Sequence, residues 1–333
     1  MDLGLSIGGD LRRLADRARQ AEDAGFESVW VAETARSVFV QAALVAQATS
    51  RVTIGTNIAL VFPRSPTITA MAARDLAELS AGRFILGLGS QVKRVNEQRF
   101  GVSFEHPAPK MAEAVEVIRE VLATFEGRPI DHRGRFYSVT MTPFPGAGPA
   151  PGPLPIYIAA VNTRMAEAAG RTADGLLGHP LTSPHYIRTV VRPAVERGAA
   201  SGGRTDPVNI STSVIVQIAR DREEARREAA LQIAFYATTR TYKPVLELHG
   251  FADLVEPLRR AYVQGDLGMM IDLALPTVDT FSIAGPPEEC QARLAEFDGV
   301  ADRLILGGAW VGPSEARLEE NHRLIMEAFA PAQ

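Results

Sequence analysis

The residues of this chain that could do chemistry stand directly after short apolar runs. Glu33 follows residues 28–32, and His179 follows residues 174–178. A carboxylate or an imidazole can give or take a proton, and histidine titrates near neutral pH. Glu33 is either a polar group at the rim of an active site or a solvated loop carboxylate. His179, by position alone, is either a substrate contact or a structural histidine.

A second candidate is a segment that ends an apolar run and enters a helical pattern at residues 165–172. It reads Ala159, Ala160, Val161, Asn162, Thr163. Free backbone N–H groups at the start of a helix bind phosphate well. Asn162 or Thr163 would equally serve as an N-cap, and the local pattern favours the cap.

Two glycines, Gly87 and Gly89, precede Ser90 and Gln91. The third glycine of a dinucleotide-binding turn is missing, and the run follows a fourth apolar segment, so the pattern disfavours a Rossmann site. Close approach of a flat ligand and tight packing between strand and loop explain the glycines equally well.

Composition excludes several classes of function. The 333 residues carry a formal net charge of −4 without a basic stripe, which argues against nucleic acid as a partner. The sequence shows no membrane span or signal peptide, so we expect a cytoplasmic protein. It also lacks zinc-ligand spacing, which predicts no metal site. The lone Cys290 has no histidine nearby to activate it, and we expect a structural role for it.

Short β-branched runs alternate with segments of helical period, which is typical of an α/β fold. Eight strands are predicted, at residues 3–7, 28–32, 52–60, 83–89, 156–160, 174–178, 208–219 and 303–307. Eight strands with helices between them predict a (β/α)8 TIM barrel of one domain, residues 1–333. A doubly wound open sheet would show fewer strands and a Gly-rich first turn.

Helices are predicted at residues 11–24 after an Asp10 cap, and at 38–48, 66–79, 110–125 and 165–172. Further helices follow Asp221 and Ser314, and residues 129–137 are predicted as a hairpin. The irregular stretch 238–280 predicts an insertion, or lid, over the barrel mouth, which is the opening at the carboxyl ends of the strands. The remaining histidines are predicted at the surface: His106, His132, His185 and His322.

The chain resembles the luciferase-like monooxygenase superfamily from its first strand to its last helix. The residues that carry the resemblance are AEDAGFESVWVAE (21–33), ARDLAELSAGRFILGLG (73–89), AAGRTADG (168–175) and IAGPPEE (283–289). No single motif is decisive, but their order and spacing together are. Among the family's branches, the resemblance points to the oxidoreductases that depend on the deazaflavin coenzyme F420.

The resemblance implies that the cofactor lies in the barrel mouth with its ring against strand three. A non-prolyl cis peptide at Asn57-Ile58, or one bond to either side, would form a bulge behind the ring. The family also assigns the cofactor phosphate to the segment from Ala160 to Thr163, which reverses the local preference for a cap. The implied cofactor contacts are Asn57, Ile58, Gly89, Ser90, Ala159, Ala160, Val161, Asn162 and Thr163.

Two departures from the family limit the catalytic prediction. Many members carry a histidine where this chain has Thr34, so a histidine-based proton transfer from that position is unavailable. Residues 90–93 do not match the acidic residue of sugar-phosphate dehydrogenase relatives, and we do not assign that substrate. The predicted polar wall is Glu33, Thr34, Gln91 and His179, and the predicted substrate contacts in the lid are Tyr242 and His249.

The reaction that these expectations predict is hydride transfer between F420 and a small organic substrate. Lysine occurs only at Lys93, Lys110 and Lys243, while arginine is abundant, which is typical of GC-rich genomes such as those of actinobacteria, where the deazaflavin is common. FMN is the alternative cofactor, in a two-component monooxygenase that would need a partner flavin reductase. A non-catalytic protein that binds flavin or deazaflavin is the third hypothesis, and a homodimer is a family-level expectation.

Overall fold

Parallel strands form a closed barrel in the computed structural model, which describes residues 1–330. The barrel runs β12-β1-β2-β3-β5-β8-β9-β10 and closes where β10 pairs with β12. The strands are β1 Asp2–Ile7, β2 Ser28–Val31, β3 Thr53–Thr56, β4 Ala59–Leu60, β5 Phe84–Gly89, β6 Ile130–Arg133, β7 Ser138–Met141, β8 Ile156–Ala160, β9 Gly175–Gly178, β10 Asn209–Ile218, β11 Ser282–Gly285 and β12 Arg303–Gly307. This is the predicted TIM barrel, with all eight barrel strands in the predicted places.

Helices surround the barrel and cover its outer face. They are α1 Leu11–Asp23, α2 Val38–Ala48, α3 Pro66–Leu79, α4 Lys93–Arg99, α5 Pro107–Thr124, α6 Thr163–Thr172, α7 Pro184–Tyr186, α8 Arg192–Ser201, α9 Arg222–Ala237, α10 Lys243–Leu248, α11 Val255–Gln264, α12 Leu267–Ala274, α13 Val278–Phe281, α14 Pro287–Arg293 and α15 Glu315–Phe329. Asp10 caps α1 as predicted, because its carboxylate accepts a hydrogen bond from the N–H of Arg12 at 3.0 Å.

Two large aromatic rings fill the inside of the barrel. Trp30 and Tyr157 lie with ring centroids 6.4 Å apart, in a buried cluster with Ile85, Leu177 and Ile305. A Cβ atom at position 55 would overlap the Trp30 ring, so a glycine on the neighbouring strand β3 makes room for the indole.

The predicted strand 52–60 is wrong in one respect, since it is broken in the middle. β3 ends at Thr56, and the short β4 begins at Ala59 and pairs with β5. The peptide bond between Asn57 and Ile58 is cis, at the position where the family resemblance placed it.

The stretch 238–280 was predicted to be irregular, and the structure corrects this. It is mostly helical and holds α10 to α13. Together with α9 it forms a helical insertion, residues 222–285, which starts after β10 and returns through β11. β11 pairs in parallel with residues 215–218 of β10, beyond the residues that β10 uses to pair with β9.

Two histidines predicted at the surface are partly enclosed. The side chain of His132 lies between Glu113 and Glu120 and is 11% exposed. Burial, with a smaller effect from the charge of Arg17, lowers the pKa of His322 to about 4. The lone Cys290 is buried in α14, and burial raises its pKa to about 11, so the thiol stays protonated and unreactive.

Candidate functional site

The break between β3 and β4 sits at the barrel mouth and is held from both sides. The Asn57 side chain donates a hydrogen bond to Ser213 Oγ on β10 at 2.8 Å, across the barrel. Ile58 is partly buried and packs on the interior cluster around Trp30. The structure therefore gives these two residues, predicted as cofactor contacts, one fixed position at the inner edge of the mouth.

Gly89 lies at the end of β5, directly beside Ile58. A Cβ atom at position 89 would meet the Ile58 side chain, and one at position 87 would meet the carbonyl of Thr56. Tight packing, one of the two explanations of these glycines, is therefore present in the structure. It brings the β5 backbone against the bulge, so that Gly89 and Ile58 share one surface.

Glu33 is not a solvated carboxylate. Its side chain is 8% exposed and forms an ion pair with Arg64, whose Nη1 donates to Oε2 at 2.7 Å. The N–H of Leu60 donates to the same oxygen at 2.9 Å. The carboxylate thus holds β4 in place behind Ile58, and the solvated-loop interpretation is wrong. Thr34, the next residue, is exposed.

The loop after β5 is ordered by a residue that the sequence did not single out. The fully buried Asn96 donates from Nδ2 to the carbonyl of Ser90 at 2.8 Å. Gln91 has a φ of 56°, and its Oε1 accepts a hydrogen bond from the N–H of Val92 at 3.0 Å. Gln91 therefore shapes its own turn, with its amide oxygen already engaged.

The start of α6 has no side-chain cap. Asn162 precedes the helix, but its side chain accepts no hydrogen bond from the first turn, and Thr163 already lies inside the helix. Instead, Asn162 Nδ2 donates to the carbonyl of Thr241 in the helical insertion at 3.1 Å, and its Oδ1 is buried without a partner among the described residues. Asn162 therefore occupies the N-cap position without capping through its side chain, and the N–H groups of Thr163 and Arg164 have no hydrogen-bond acceptor among the described residues.

His179 and Tyr242, predicted independently, are in direct contact. His179 Nε2 lies 2.9 Å from Tyr242 Oη, and the two rings stack with centroids 4.3 Å apart. The N–H of Leu181 donates to His179 Nδ1 at 3.0 Å. Burial lowers the pKa of His179 to about 3 and raises that of Tyr242 above its ordinary value, so both groups are neutral at pH 7.

His249 lies apart from this pair. Its Nε2 is 2.8 Å from Ser183 Oγ, which also caps α7 by accepting the N–H of Tyr186. Burial, and then the charge of His185, lower the pKa of His249. The contact joins the helical insertion to the loop after β9, and the structure does not bring His249 to Tyr242.

Aromatic side chains that sequence reasoning missed complete the mouth. Trp310, in the loop after β12, is 54% exposed, and its Nε1 donates to Tyr236 Oη at 3.2 Å. The Tyr236 ring meets His179 edge-on, with centroids 4.6 Å apart. Trp310 follows a strand end, which was the only signal for it. Tyr236 lies in the last turn of α9, beyond Ala230, where the helix after Asp221 was predicted to end.

Buried amides hold Trp310 in this position. Gln232 Oε1 accepts the N–H groups of Trp310 and Val311 at 2.8 and 3.1 Å. Gln217 Oε1 accepts the N–H of Ala309 at 3.0 Å. Because both glutamines are buried, the loop is fixed from behind, and Trp310 offers a preformed aromatic face at the mouth.

Within residues 1–330, no three His, Cys, Asp or Glu side chains are grouped so that they could hold a metal ion. None of the helices in that range is both long and apolar enough to cross a lipid bilayer.

The chain is similar to known proteins over nearly its full length. The profile of a family described as luciferase-like monooxygenase matches residues 2–303. An uncharacterised protein of Mycobacterium tuberculosis is 39% identical over 312 residues, which cover 90% of this chain and 91% of that protein. The 5,10-methylenetetrahydromethanopterin reductase of Archaeoglobus fulgidus is 28% identical over 333 residues, covering 95% and 96%.

Among solved structures, the chain is similar to the coenzyme F420-dependent tetrahydromethanopterin reductase of Methanopyrus kandleri. The superposition has a TM-score of 0.82 at 25% identity and covers 98% of this chain and 97% of that one.

Proposed function

Because the chain belongs to the luciferase-like monooxygenase family, we propose that it transfers a hydride between coenzyme F420 and a small organic substrate. The observation that carries the proposal is the likeness of this barrel, over 98% of its length, to an F420-dependent reductase. FMN is the alternative cofactor that the family name itself suggests.

The mouth fits such a cofactor at two places. A flat ring has a surface to lie against at Ile58 and Gly89, where β5 and the bulge pack together. A phosphate has the uncapped first turn of α6, between Asn162 and Thr163, whose N–H groups and helix dipole favour an anion. The buried, unpartnered Oδ1 of Asn162 can accept one hydrogen bond from a ligand.

F420, when bound, supplies a carbon that carries a hydride much as nicotinamide does. The protein's own residues then orient the substrate and exclude water. The aromatic groups that meet at the mouth around Tyr242 are all neutral, namely His179, Tyr242, Tyr236 and Trp310. Such a wall suits an uncharged, partly apolar substrate better than a phosphorylated one.

The proposal is tested by titrating the purified protein with oxidised F420 and, separately, with FMN, following the fluorescence of each cofactor. We expect tight binding of F420 and weak binding of FMN. A preference for FMN would contradict the F420 assignment and point to a two-component monooxygenase with a partner flavin reductase. If the protein binds neither cofactor, the cofactor assignment is contradicted and only the barrel fold remains established.

Binding without turnover is a separate outcome. If the protein binds F420 but the reduced cofactor is not oxidised by a panel of carbonyl, imine and activated-alkene acceptors, hydride transfer is contradicted. A non-catalytic binding protein, which Thr34 in place of the family histidine allows, would then be favoured.

A further inference from the structure

The contact between His179 and Tyr242 has a defined direction. The N–H of Leu181 donates to His179 Nδ1, so this nitrogen carries no proton. Because burial keeps the imidazole neutral, its single proton is on Nε2. Nε2–H therefore donates to Tyr242 Oη at 2.9 Å, and the phenol oxygen is the acceptor.

The Tyr242 proton is consequently left for another acceptor. Within residues 1–330, no oxygen or nitrogen other than His179 Nε2 forms a hydrogen bond with Tyr242 Oη. A buried hydroxyl without an acceptor is destabilising, so such groups are normally satisfied by a ligand or by water. Both nitrogens of His179 are engaged within the protein, which leaves the imidazole no means of reaching a substrate.

Tyr242 is tied to residues that follow the carboxyl ends of the barrel strands. The carbonyl of the preceding residue, Thr241, is bonded to Asn162 at the start of α6. Tyr236, which neighbours the Tyr242 ring at 6.3 Å between centroids, carries the contact to Trp310. Tyr242 thus contacts the loop after β9 through His179, and it is linked to the loop after β8 through Thr241 and to the loop after β12 through Tyr236.

We infer that Tyr242 is a catalytic residue that donates a proton to the heteroatom of a polarised C=O or C=N bond in the substrate, and that His179 is a positioning residue that orients the Tyr242 hydroxyl. This inference rests on the proposed hydride transfer. It differs from the sequence prediction, which placed His179 itself against the substrate.

The reductant would be reduced F420, which would supply a hydride to the carbon of the double bond while the π electron pair moves to the heteroatom. That atom takes the proton of Tyr242 as the phenol O–H bond breaks. The phenolate formed accepts the Nε2–H bond of His179 and regains a proton from water after the alcohol or amine leaves.

The central variant is Tyr242→Phe, which removes one oxygen and keeps the ring that stacks on His179. Single-turnover oxidation of reduced F420 by a carbonyl or imine acceptor should slow on the order of 10²- to 10⁴-fold, the usual contribution of a general acid. The Kd for F420 and the KM for the acceptor should change little. The matched control is Tyr137→Phe, at a buried phenol whose hydroxyl has no partner among the described residues; it should keep the wild-type rate.

The role of His179 needs its own variant. His179→Phe keeps an aromatic ring but loses the donor to Tyr242, and should slow the reaction less than Tyr242→Phe. The double variant should be no slower than Tyr242→Phe alone, because His179 acts through Tyr242. Additive losses would contradict the positioning role.

A readout that needs neither cofactor nor turnover tests the geometry. In protein with ¹⁵N-labelled histidine, the His179 ring should show a protonated Nε2 and an unprotonated Nδ1, with the His179→Phe variant identifying the signal. The Nε2–H resonance should shift in Tyr242→Phe and not in Tyr137→Phe. A proton on Nδ1 would overturn the inference, since Tyr242 would then donate to His179.

The two levels of failure are distinguishable. Wild-type protein that fails to bind or oxidise reduced F420 overturns the proposed function, and the role of Tyr242 with it. Wild-type turnover together with an undiminished rate in Tyr242→Phe overturns only the role of Tyr242.

Discussion

At the scale of single residues, two histidines are held neutral by burial. The pKa of His179 is lowered to about 3 and that of His322 to about 4. In the unfolded chain both would titrate near the ordinary value of about 6.5. Below that pH the unfolded state binds more protons than the folded state. The contribution of the two neutral histidines to the free energy of unfolding is therefore fully present above about pH 6.5. It is lost progressively as the pH falls toward 4 for His322 and toward 3 for His179.

We therefore expect the free energy of unfolding to fall between pH 6.5 and 5, by up to roughly 1.4 kcal/mol per pH unit for each of the two histidines. Urea unfolding at a series of pH values measures this. In His322→Met, which cannot titrate at this position, the free energy of unfolding should depend less steeply on pH, by the amount that corresponds to about one proton. An equal slope in the variant and the wild type would show that His322 is not held neutral.

The substitution His179→Ala separates turnover from cofactor binding. Loss of the ring removes the donor to Tyr242 and the stacking partner at 4.3 Å, but leaves the start of α6 and the Ile58 surface intact. Turnover with F420 should therefore fall more than F420 affinity does. Steady-state rates and fluorescence titration of the same preparation would check this. An unchanged rate would remove His179 from the site altogether.

At the scale of elements, α6 is held close to α8 by glycines. A Cβ atom at Gly170 would meet the carbonyl oxygen of Val195 on α8, and one at Gly198 would meet the backbone of Glu167 on α6. Backbone atoms cannot move aside as the end of a side chain can. The position of α6, and with it the candidate phosphate site at its start, depends on this close contact.

Gly170→Ala should accordingly lower the free energy of unfolding by about 1–3 kcal/mol, the usual cost of overpacking, as measured by urea denaturation. Gly268→Ala is the matched control, because at that exposed position on α12 an added methyl group would make only an ordinary contact, 3.5 Å from the Asp266 side chain. It should stabilise by roughly 0.4–1 kcal/mol, since alanine restricts the unfolded chain. Equal effects of the two substitutions would contradict the close packing of α6 on α8.

At the scale of the whole molecule, one outer face is apolar. On α2 and α3, which pack beside each other, Val40 is 51% exposed, Ile68 56% and Met71 37%. Large exposed apolar side chains on neighbouring helices are candidates for a protein–protein interface. We expect a second copy of the chain to cover this face, which would make the protein a homodimer.

Ile68→Arg would place a charge in that interface, so it should convert the dimer to a monomer in light scattering coupled to gel filtration. Val263→Arg is the control, since Val263 is an exposed apolar residue on α11, in a different part of the fold. A wild-type monomer, or a dimer insensitive to Ile68→Arg, would contradict the assignment of this face.

The sequence by itself determined the barrel and the order of its strands. Strands such as Ile156–Ala160 and Arg303–Gly307 are found with their predicted bounds, because a buried parallel strand is a continuous apolar run that local composition reveals. The stretch 238–280 was predicted to be irregular, with Pro244 among its residues. In the structure Pro244 lies in the first turn of α10 and Gly265 is the left-handed cap of α11, so both residues mark helix ends.

Only the tertiary structure decided what the candidate site residues do. Glu33 became part of an ion pair with Arg64, and Asn57 became bonded to Ser213, which is 156 residues away in the chain. His179 and Tyr242 are 63 residues apart, and nothing in their local sequence shows which nitrogen of the imidazole holds the proton. Hydrogen bonds of this kind depend on the relative placement of separate strands and helices. Composition and periodicity report only whether each segment is buried, and so they cannot specify such partners.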